Sequence, residues 1–301
     1  VQLLPGDGPT VGSVLSSDPR ITGVVFTGGT DTAQIINRAL AARENAPLPT
    51  LIAETGGMNA MIVDSTALPE QVVVDVIQSA FQSAGQRCSA LRVLYLQEDV
   101  ADRVIEILKG AMSELHIGDP RDLGTDVGPV IDEDARKGLL AHIQTLKDEG
   151  RLVAEASMAA EHTQNGTFVA PVAFVIDGIE ALEREQFGPI LHIVRYKSRD
   201  IDRVIDAING RGYGLTFGVH SRNESFAAEI ARRIRVGNVY INRNIIGAVV
   251  GVQPFGGQGL SGTGPKAGGP HYLQRFVTEK TVTNNTAALG GNASLLALGD
   301  D

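Results

Sequence analysis

Hydrophobic positions along this chain switch repeatedly between a period of two and a period near 3.6. ITGVVF and TLIAE are short β-branched runs, and TDTAQIINRALAAR between them carries apolar residues at helical spacing, with Thr30 as its expected N-cap. Preceded by the apolar run VQLL and the helically spaced PTVGSVLSSD, these segments read as βαβαβ, which implies a parallel sheet with right-handed crossovers. The alternation restarts at Asn59: NAMIVD and RVLYL read as strands, LPEQVVVDVIQSAFQSA and DVADRVIEILKGAM as helices. EDARKGLLAHIQTLKDEG follows as a helix, then short strands between Leu152 and Tyr196, and a helix near Asp200 to Asn209. Strand TFGVHS, helix ESFAAEIARRI and strand NVYIN complete a second α/β unit. Between Gly247 and Gly269 stand nine glycines, a texture of loops where backbone approaches backbone or ligand. The tail TEKTVTNNTAALGGNASLLALGDD opens as an alternating strand and then loosens.

With 301 residues and 43% hydrophobic residues, the chain has ample material for a globular core. No apolar run approaches the ~18 residues of a membrane span, and no basic segment leads into an apolar one at the start. A single cysteine forms no intrachain disulfide, which agrees with a reducing compartment, and the cytoplasm is the expected location. The net charge of −9 disfavours attraction to phosphate backbones or anionic lipid, so neither nucleic acid nor membrane is expected as a partner. Arg232, Arg233 and Arg235 form the nearest thing to a basic cluster, and they read as a helix C-terminus complementing its dipole. Val1 is not an initiator methionine, and the first run arrives without a leading segment; a chain beginning mid-domain is expected.

Several stretches offer chemistry. GDGPTVG and FTGGTDTA each lie at a strand-to-helix junction, where unpaired N–H groups suit a phosphate; ordinary tight turns explain either one equally well. The lone Cys88 is either a small hydrophobe of the core or a nucleophile, and its polar neighbours Gln86, Arg87 and Ser89 favour the second. A nucleophile needs an acid or base. Glu54 closes strand TLIAE, where a desolvated carboxylate suits a general base, though it also reads as a strand-exit glutamate paired with a cation. His116, His142, His162, His192, His220 and His271 show no i,i+4 or H-x-H pairing, so no metal site is expected. REQFGPI reads as a turn into strand ILHIVRY. PFGGQGLSGTGPKAGGPHY reads as a flexible loop, unless its glycines present N–H groups to an anion.

PGDGPTVG, FTGGT, ETGGMNAMIV, GQRCSALR, EQFGPIL and PFGGQGLSGTG together resemble the aldehyde dehydrogenase superfamily over the whole chain, in order, with the family's interval of 34 residues between Glu54 and Cys88. GQRCSALR, NRNIIGAVVGVQPFGGQGLSGTGPKAGGPHYL and TVTNNTAALGGNASLL are similar, more narrowly, to the L-glutamate γ-semialdehyde dehydrogenase module of bifunctional proline utilization A. The resemblance implies an aldehyde dehydrogenase-like α/β fold. Residues 1–57 would be the second half of a Rossmann-type NAD-binding domain, 58–256 an α/β catalytic domain, 257–280 a substrate-anchor loop returning to the NAD domain, and 281–301 an oligomerisation strand and tail.

It also implies NAD as cofactor, with FAD only in a proline dehydrogenase module that these residues do not include. Cys88 would be the nucleophile and part of the oxyanion hole, and Glu54 the base that activates water. Thr27, Gly28 and Gly29 would lie by the cofactor pyrophosphate, Glu185 on its ribose and Phe187 near the nicotinamide. Arg87, Ser89 and the amides of Gly268 and Gly269 would receive the carboxylate of a small aldehyde substrate, with Phe276 along its aliphatic part. The tail would pair strands across a homodimer. The family's oxyanion-hole asparagine and adenosine-site lysine are implied to lie ahead of Val1, so a chain starting there is expected to bind NAD poorly and turn over little or nothing. Other readings are a related enzyme with a different aldehyde, a Cys/Glu amidase, or a noncatalytic oligomerisation fragment.

Overall fold

The structure is a computed structural model that describes residues 1–285 and residue 288. Val1–Gly269 form one compact unit and Pro270–Asp301 a second.

In the first unit, a helical turn at Gly8–Gly12 runs into α1 (Ser13–Ser17), and strand β1 (Gly23–Thr27), helix α2 (Thr30–Ala41) and strand β2 (Thr50–Glu54) follow. β1 and β2 pair in parallel from Gly23↔Thr50 to Thr27↔Glu54. The VQLL run joins no strand; residues 1–7 are irregular and exposed, so a βαβ unit stands where βαβαβ was expected. The N-cap of α2 is Gly29, not Thr30, because the Thr30 hydroxyl donates instead to Leu260 O at 3.1 Å. In GDGPTVG, Asp7 already occupies the helical terminus, accepting from Thr10 N at 2.7 Å, and so supplies the anion that a phosphate would have been.

The core lies in a second sheet. β3 (Ala60–Val63), α3 (Pro69–Phe81), β4 (Val93–Gln97) and α4 (Glu98–Ser113) precede α5 (Glu133–Asp148), β5 (Leu152–Glu155), the short α6 (Ala160–Thr163), β6 (Val172–Val175) and β7 (Ile190–Tyr196). After α7 (Ile201–Gly210) come β8 (Tyr213–Gly214), β9 (Thr216–His220), α8 (Glu224–Arg233), β10 (Asn238–Ile241) and β11 (Gln258–Gly259). The seven-stranded order is β10-β9-β3-β4-β7-β6-β5, parallel except for the β5–β6 edge pair. Covered on both faces by helices, the middle strands lack polar alternation: every residue of β3, β4 and β9 is buried. α4 turns Val100, Val104, Leu108 and Met112 inward, one residue per turn on a single stripe. Asp132 and Asn223 cap α5 and α8 by accepting from Ala135 N and Phe226 N. Arg232 and Arg233 end α8 as expected, with Arg233 reaching Asp202 at 2.7 Å.

The 257–263 stretch is not the flexible surface loop that its glycines predict. It lies along β2, exchanging hydrogen bonds between Thr263 N and Ala53 O, Ala53 N and the Thr263 hydroxyl, and Thr55 N and Ser261 O. Those backbone bonds, with Ser261 fully buried, make it a third, irregular edge of the first sheet.

In the second unit, a turn at Leu273–Phe276 brings Tyr272 against Phe276, ring centres 5.5 Å apart and the planes tilted by 58°. Residues 281–285 pair with no strand among the described residues, and most of the remaining tail lies outside them. Among the described residues no helix is long and apolar enough to cross a membrane, and no group of three or more His, Cys, Asp or Glu side chains is arranged to hold a metal.

Leu94 is fully buried on β4, the strand between β3 and β7. Leu94→Ala is expected to cost about 2–5 kcal/mol in urea unfolding of the full chain, whereas Val25→Ser on exposed β1 should stay within about 0.5 kcal/mol.

Candidate active site

Two sheet ends meet here. Glu54 closes β2 at its C-terminal end, while Cys88 lies in the loop that enters β4, at the N-terminal edge of the seven-stranded sheet. Asn59 and Glu185 come from the same edge, ahead of β3 and β7.

α3 ends at Phe81, and the chain then turns through Ser83, Ala84 and Gly85 with φ of 57°, 53° and 66°. Two non-glycine residues in succession in the left-handed region are costly, about 1–3 kcal/mol each, and persist only where surrounding bonds fix them. Gly85 is obligatory on packing grounds as well, since a Cβ there would stand 2.1 Å from Gly188 O. Asn59 Nδ2 donates to Cys88 O at 2.7 Å and to Ala90 O at 2.9 Å, while its Oδ1 accepts from Thr216 N. The Thr216 hydroxyl donates to Ser89 O. Arg92 reaches back beneath the loop to Gly85 O at 2.8 Å and Arg87 O at 3.1 Å.

Arg92 also pairs with Glu185, Nη2 to Oε1 at 3.0 Å, with side-chain exposures of 1% and 14%. Oε2 of Glu185 accepts from Gly57 N at 3.2 Å. Gly56 permits this approach, because a Cβ there would lie 2.0 Å from that oxygen. Phe187 stands against the same guanidinium, 5.2 Å from ring centre to Cζ.

The thiol of Cys88 is half-buried, and burial pushes its pKa up; the Glu185 carboxylate pushes the same way, and Glu54 adds to it. The backbone N–H groups of Ser89 and of Cys88 itself pull in the opposite direction. Burial likewise raises Glu185, against the pull of Arg92.

Glu54 is the more strongly tuned carboxyl. Desolvation lifts it to about 7, partly opposed by the Gly257 N–H on Oε2 at 3.1 Å and by the charge of Lys266. Its other oxygen, Oε1, is buried and has no hydrogen-bond partner among the described residues. A half-buried carboxyl titrating at neutrality near a thiol is suited to take a proton from water.

Of the other expected residues, Thr27 pairs with Glu54 in the parallel ladder, and Gly28 N donates to Glu54 O at 3.2 Å. Gly29 caps α2 with open space where a Cβ would point. Ser89 is buried, and Arg87 turns its Nε onto the Ser83 hydroxyl at 3.1 Å. Gly268 is left-handed at φ 71°, but the Gly269 N–H closes a turn on Lys266 O at 3.1 Å; of the two amides expected to face an anion, one is therefore engaged. Phe276 belongs to the second unit.

Sequence reading gave no role to Arg92, Asn59, Gly56 or Lys266. For the first two a signal existed: each stands immediately ahead of a strand that opens on apolar residues and is buried throughout, where a buried polar side chain must find partners. Lys266, whose Nζ donates to Gly237 O, is placed beside Glu54 only by the folded glycine loop.

The bifunctional protein PutA of Klebsiella aerogenes is 55% identical over 287 residues, 93% of this chain and 22% of its own length. A crystal structure of a Bradyrhizobium japonicum proline utilization A variant superposes with a TM-score of 0.90 at 60% identity, covering 95% of this chain and 29% of that one. The 1-pyrroline-5-carboxylate dehydrogenase of Thermus with bound NAD gives a TM-score of 0.83 at 36% identity, covering 91% and 52%. The chain thus spans less than a quarter of the first of these relatives. The aldehyde dehydrogenase family profile matches residues 1–282, and this chain belongs to that family.

Proposed function

We propose that the site oxidises L-glutamate γ-semialdehyde to L-glutamate with NAD, the second step of proline catabolism, within a larger bifunctional proline-oxidising protein of the cytoplasm. The observation that carries this reading is the convergence of the lone cysteine with a carboxyl tuned to about 7. The names of the similar proteins, PutA and 1-pyrroline-5-carboxylate dehydrogenase, supply the substrate.

Cys88 Sγ, as thiolate, attacks the aldehyde carbon to give a thiohemiacetal. The Cys88 and Ser89 N–H groups, already directed at the sulfur, lie where the new oxyanion forms; one such donor is worth about 3 kcal/mol elsewhere. Bound NAD supplies the acceptor for the hydride that leaves the former carbonyl carbon. The Cys88 thioester that remains is cleaved by water from which Glu54 takes the proton, releasing the carboxylic acid and restoring the thiol.

The residues present fit that cofactor. Gly29, in open space at the N-terminus of the twelve-residue α2, suits the pyrophosphate, with Thr27 and Gly28 behind it. Glu185 uses three of about four carboxylate acceptor positions on Arg92 and Gly57, which leaves one for a ribose hydroxyl. Phe187 remains 45% exposed for a nicotinamide ring. For the substrate carboxylate, Ser89, Arg87 and the Gly268 amide are the anchors, Gly269 supplying conformational room more than a donor. The tail from residue 281, exposed over residues 281–285, suits strand addition to a second copy, and a homodimer is proposed on that ground.

Cys88→Ala should abolish NADH formation without lowering the melting temperature appreciably. Glu54→Gln should leave a first-turnover burst of NADH followed by slow steady state, because thioester accumulates. Since Glu54 acts as carboxylate and titrates at about 7, wild-type steady-state turnover should rise with pH through neutrality, and that limb should vanish in Glu54→Gln. Glutamate semialdehyde should be preferred over a neutral aldehyde of equal length by at least about tenfold in kcat/KM, from loss of a charged anchor; equal efficiencies would sink the substrate assignment.

A further inference from the structure

Arg92 has five N–H groups, and all five are engaged. Nη1 donates to Gly85 O at 2.8 Å and Gly188 O at 3.2 Å; Nη2 to Arg87 O at 3.1 Å and Glu185 Oε1 at 3.0 Å; Nε to the same oxygen at 3.3 Å. Two of these acceptors flank the left-handed turn before Cys88, and the others belong to the segment carrying Glu185 and Phe187. The main chain of Arg92 is itself pinned: its N–H donates to Asn59 O, and its carbonyl accepts both the backbone N–H and the Nδ1–H of His192, each at 3.0 Å. Because that carbonyl can only accept, His192 carries its proton on Nδ1. Its bare Nε2 then accepts from His142 Nε2–H at 2.9 Å. Burial keeps His192 neutral, its pKa pulled down to about 3, so this anchor is unchanged across physiological pH.

We propose that Arg92 is a positioning residue for the reaction: one guanidinium sets the nucleophile loop and the Glu185–Gly188 segment in a single fixed relation. The inference rests on the reading of Cys88 as nucleophile and extends it to what aims the sulfur. A lysine could keep the charge opposite Glu185, but its three donors diverge from one atom and cannot span carbonyls on both segments. The strained turn at Ser83 and Ala84 is held by the same bonds, so losing them lets the loop relax away from the geometry in which Cys88 faces its target.

The test compares the full chain with Arg92→Lys, Glu185→Gln and the double variant Arg92→Met/Glu185→Leu, reading NADH formation, thermal melting and the iodoacetamide alkylation rate of Cys88 against pH. Arg92→Lys should lose about 100-fold in kcat while KM for the aldehyde changes less than about threefold, the pattern of a misaimed nucleophile. The pH midpoint of its alkylation should remain that of wild type, because the charge is kept. A kcat within about threefold of wild type overturns the proposal. So does a loss of kcat matched by the fraction of chain unfolded at the assay temperature. The double variant removes both buried charges together and so avoids an unpaired one. At pH values where every thiolate is formed, it should alkylate about tenfold faster than wild type and Glu185→Gln alike, since the released loop exposes the sulfur; equal plateau rates overturn the proposal. Alkylation needs neither aldehyde nor cofactor, so the plateau rates decide the role of Arg92 even where no NADH forms, while the assigned reaction stands or falls on NADH formation by the longer protein that contains these residues.

Discussion

A carboxylate buried beside a thiol is the constraint around which this molecule is arranged. Glu185 is largely withdrawn from water, and an unpaired charge there would cost several kcal/mol. The Arg92 guanidinium answers it, and because that cation is itself buried, each of its N–H groups requires an acceptor. The acceptors are backbone carbonyls at Gly85, Arg87 and Gly188, so satisfying one charge fixes the course of two loops. Gly56 and Gly85 follow as steric corollaries: a side chain at either would occupy the space of a Glu185 oxygen or of the Gly188 carbonyl.

Glu54 and Glu185 are two carboxyls held near one sulfur in unlike surroundings, and their surroundings divide the labour. Glu185 has a cation at 3.0 Å and donors on both oxygens, so the rise that burial imposes on it is opposed and little accepting capacity is left over. Glu54 has one backbone donor, a more distant lysine and an idle oxygen, and desolvation brings it to about 7. Burial raises both carboxyls, but only Glu185 has a guanidinium against it, and carboxyls in such unlike surroundings take different parts in proton transfer. The docking of residues 257–263 along β2 raises Glu54 by withdrawing much of its carboxyl from solvent, and the Gly257 N–H that it also supplies opposes that rise only in part.

Most regular elements could be read from the sequence, because the helices of the second sheet carry a 3.6-residue apolar period and its strands are short runs rich in β-branched residues. VQLL failed as a strand for a tertiary reason: an apolar run has the composition of a strand, but strandness requires a ladder partner, and none pairs with it among the described residues. The glycine loop misled in the opposite direction, since glycine content reports conformational freedom and not whether the backbone is later captured by an edge. In the site, motif order pointed to Cys88, Glu54 and Glu185. Arg92 stood in the same quoted stretch without a role because its partners are main-chain carbonyls, which have no sequence signature.

The site also shows why two sheets are needed. Parallel strands collect ligands beyond their C-terminal ends, and Glu54 obeys that rule at the end of β2. Cys88 does not: it precedes β4, at the opposite edge of the larger sheet, where backbone N–H groups emerge ahead of the ladder and Cys88 and Ser89 direct theirs toward the sulfur. A base from a C-terminal strand end and a nucleophile from an N-terminal edge can face one another only if the sheets abut end to end. The bonds that enforce this are the ones joining β2 and its neighbours to the far side of the site: Gly57 N to Glu185, Gly257 N to Glu54, and Lys266 to Gly237 O. Each joins parts of the chain remote in sequence, so the alignment of nucleophile and base is a property of the closed fold and of no single motif.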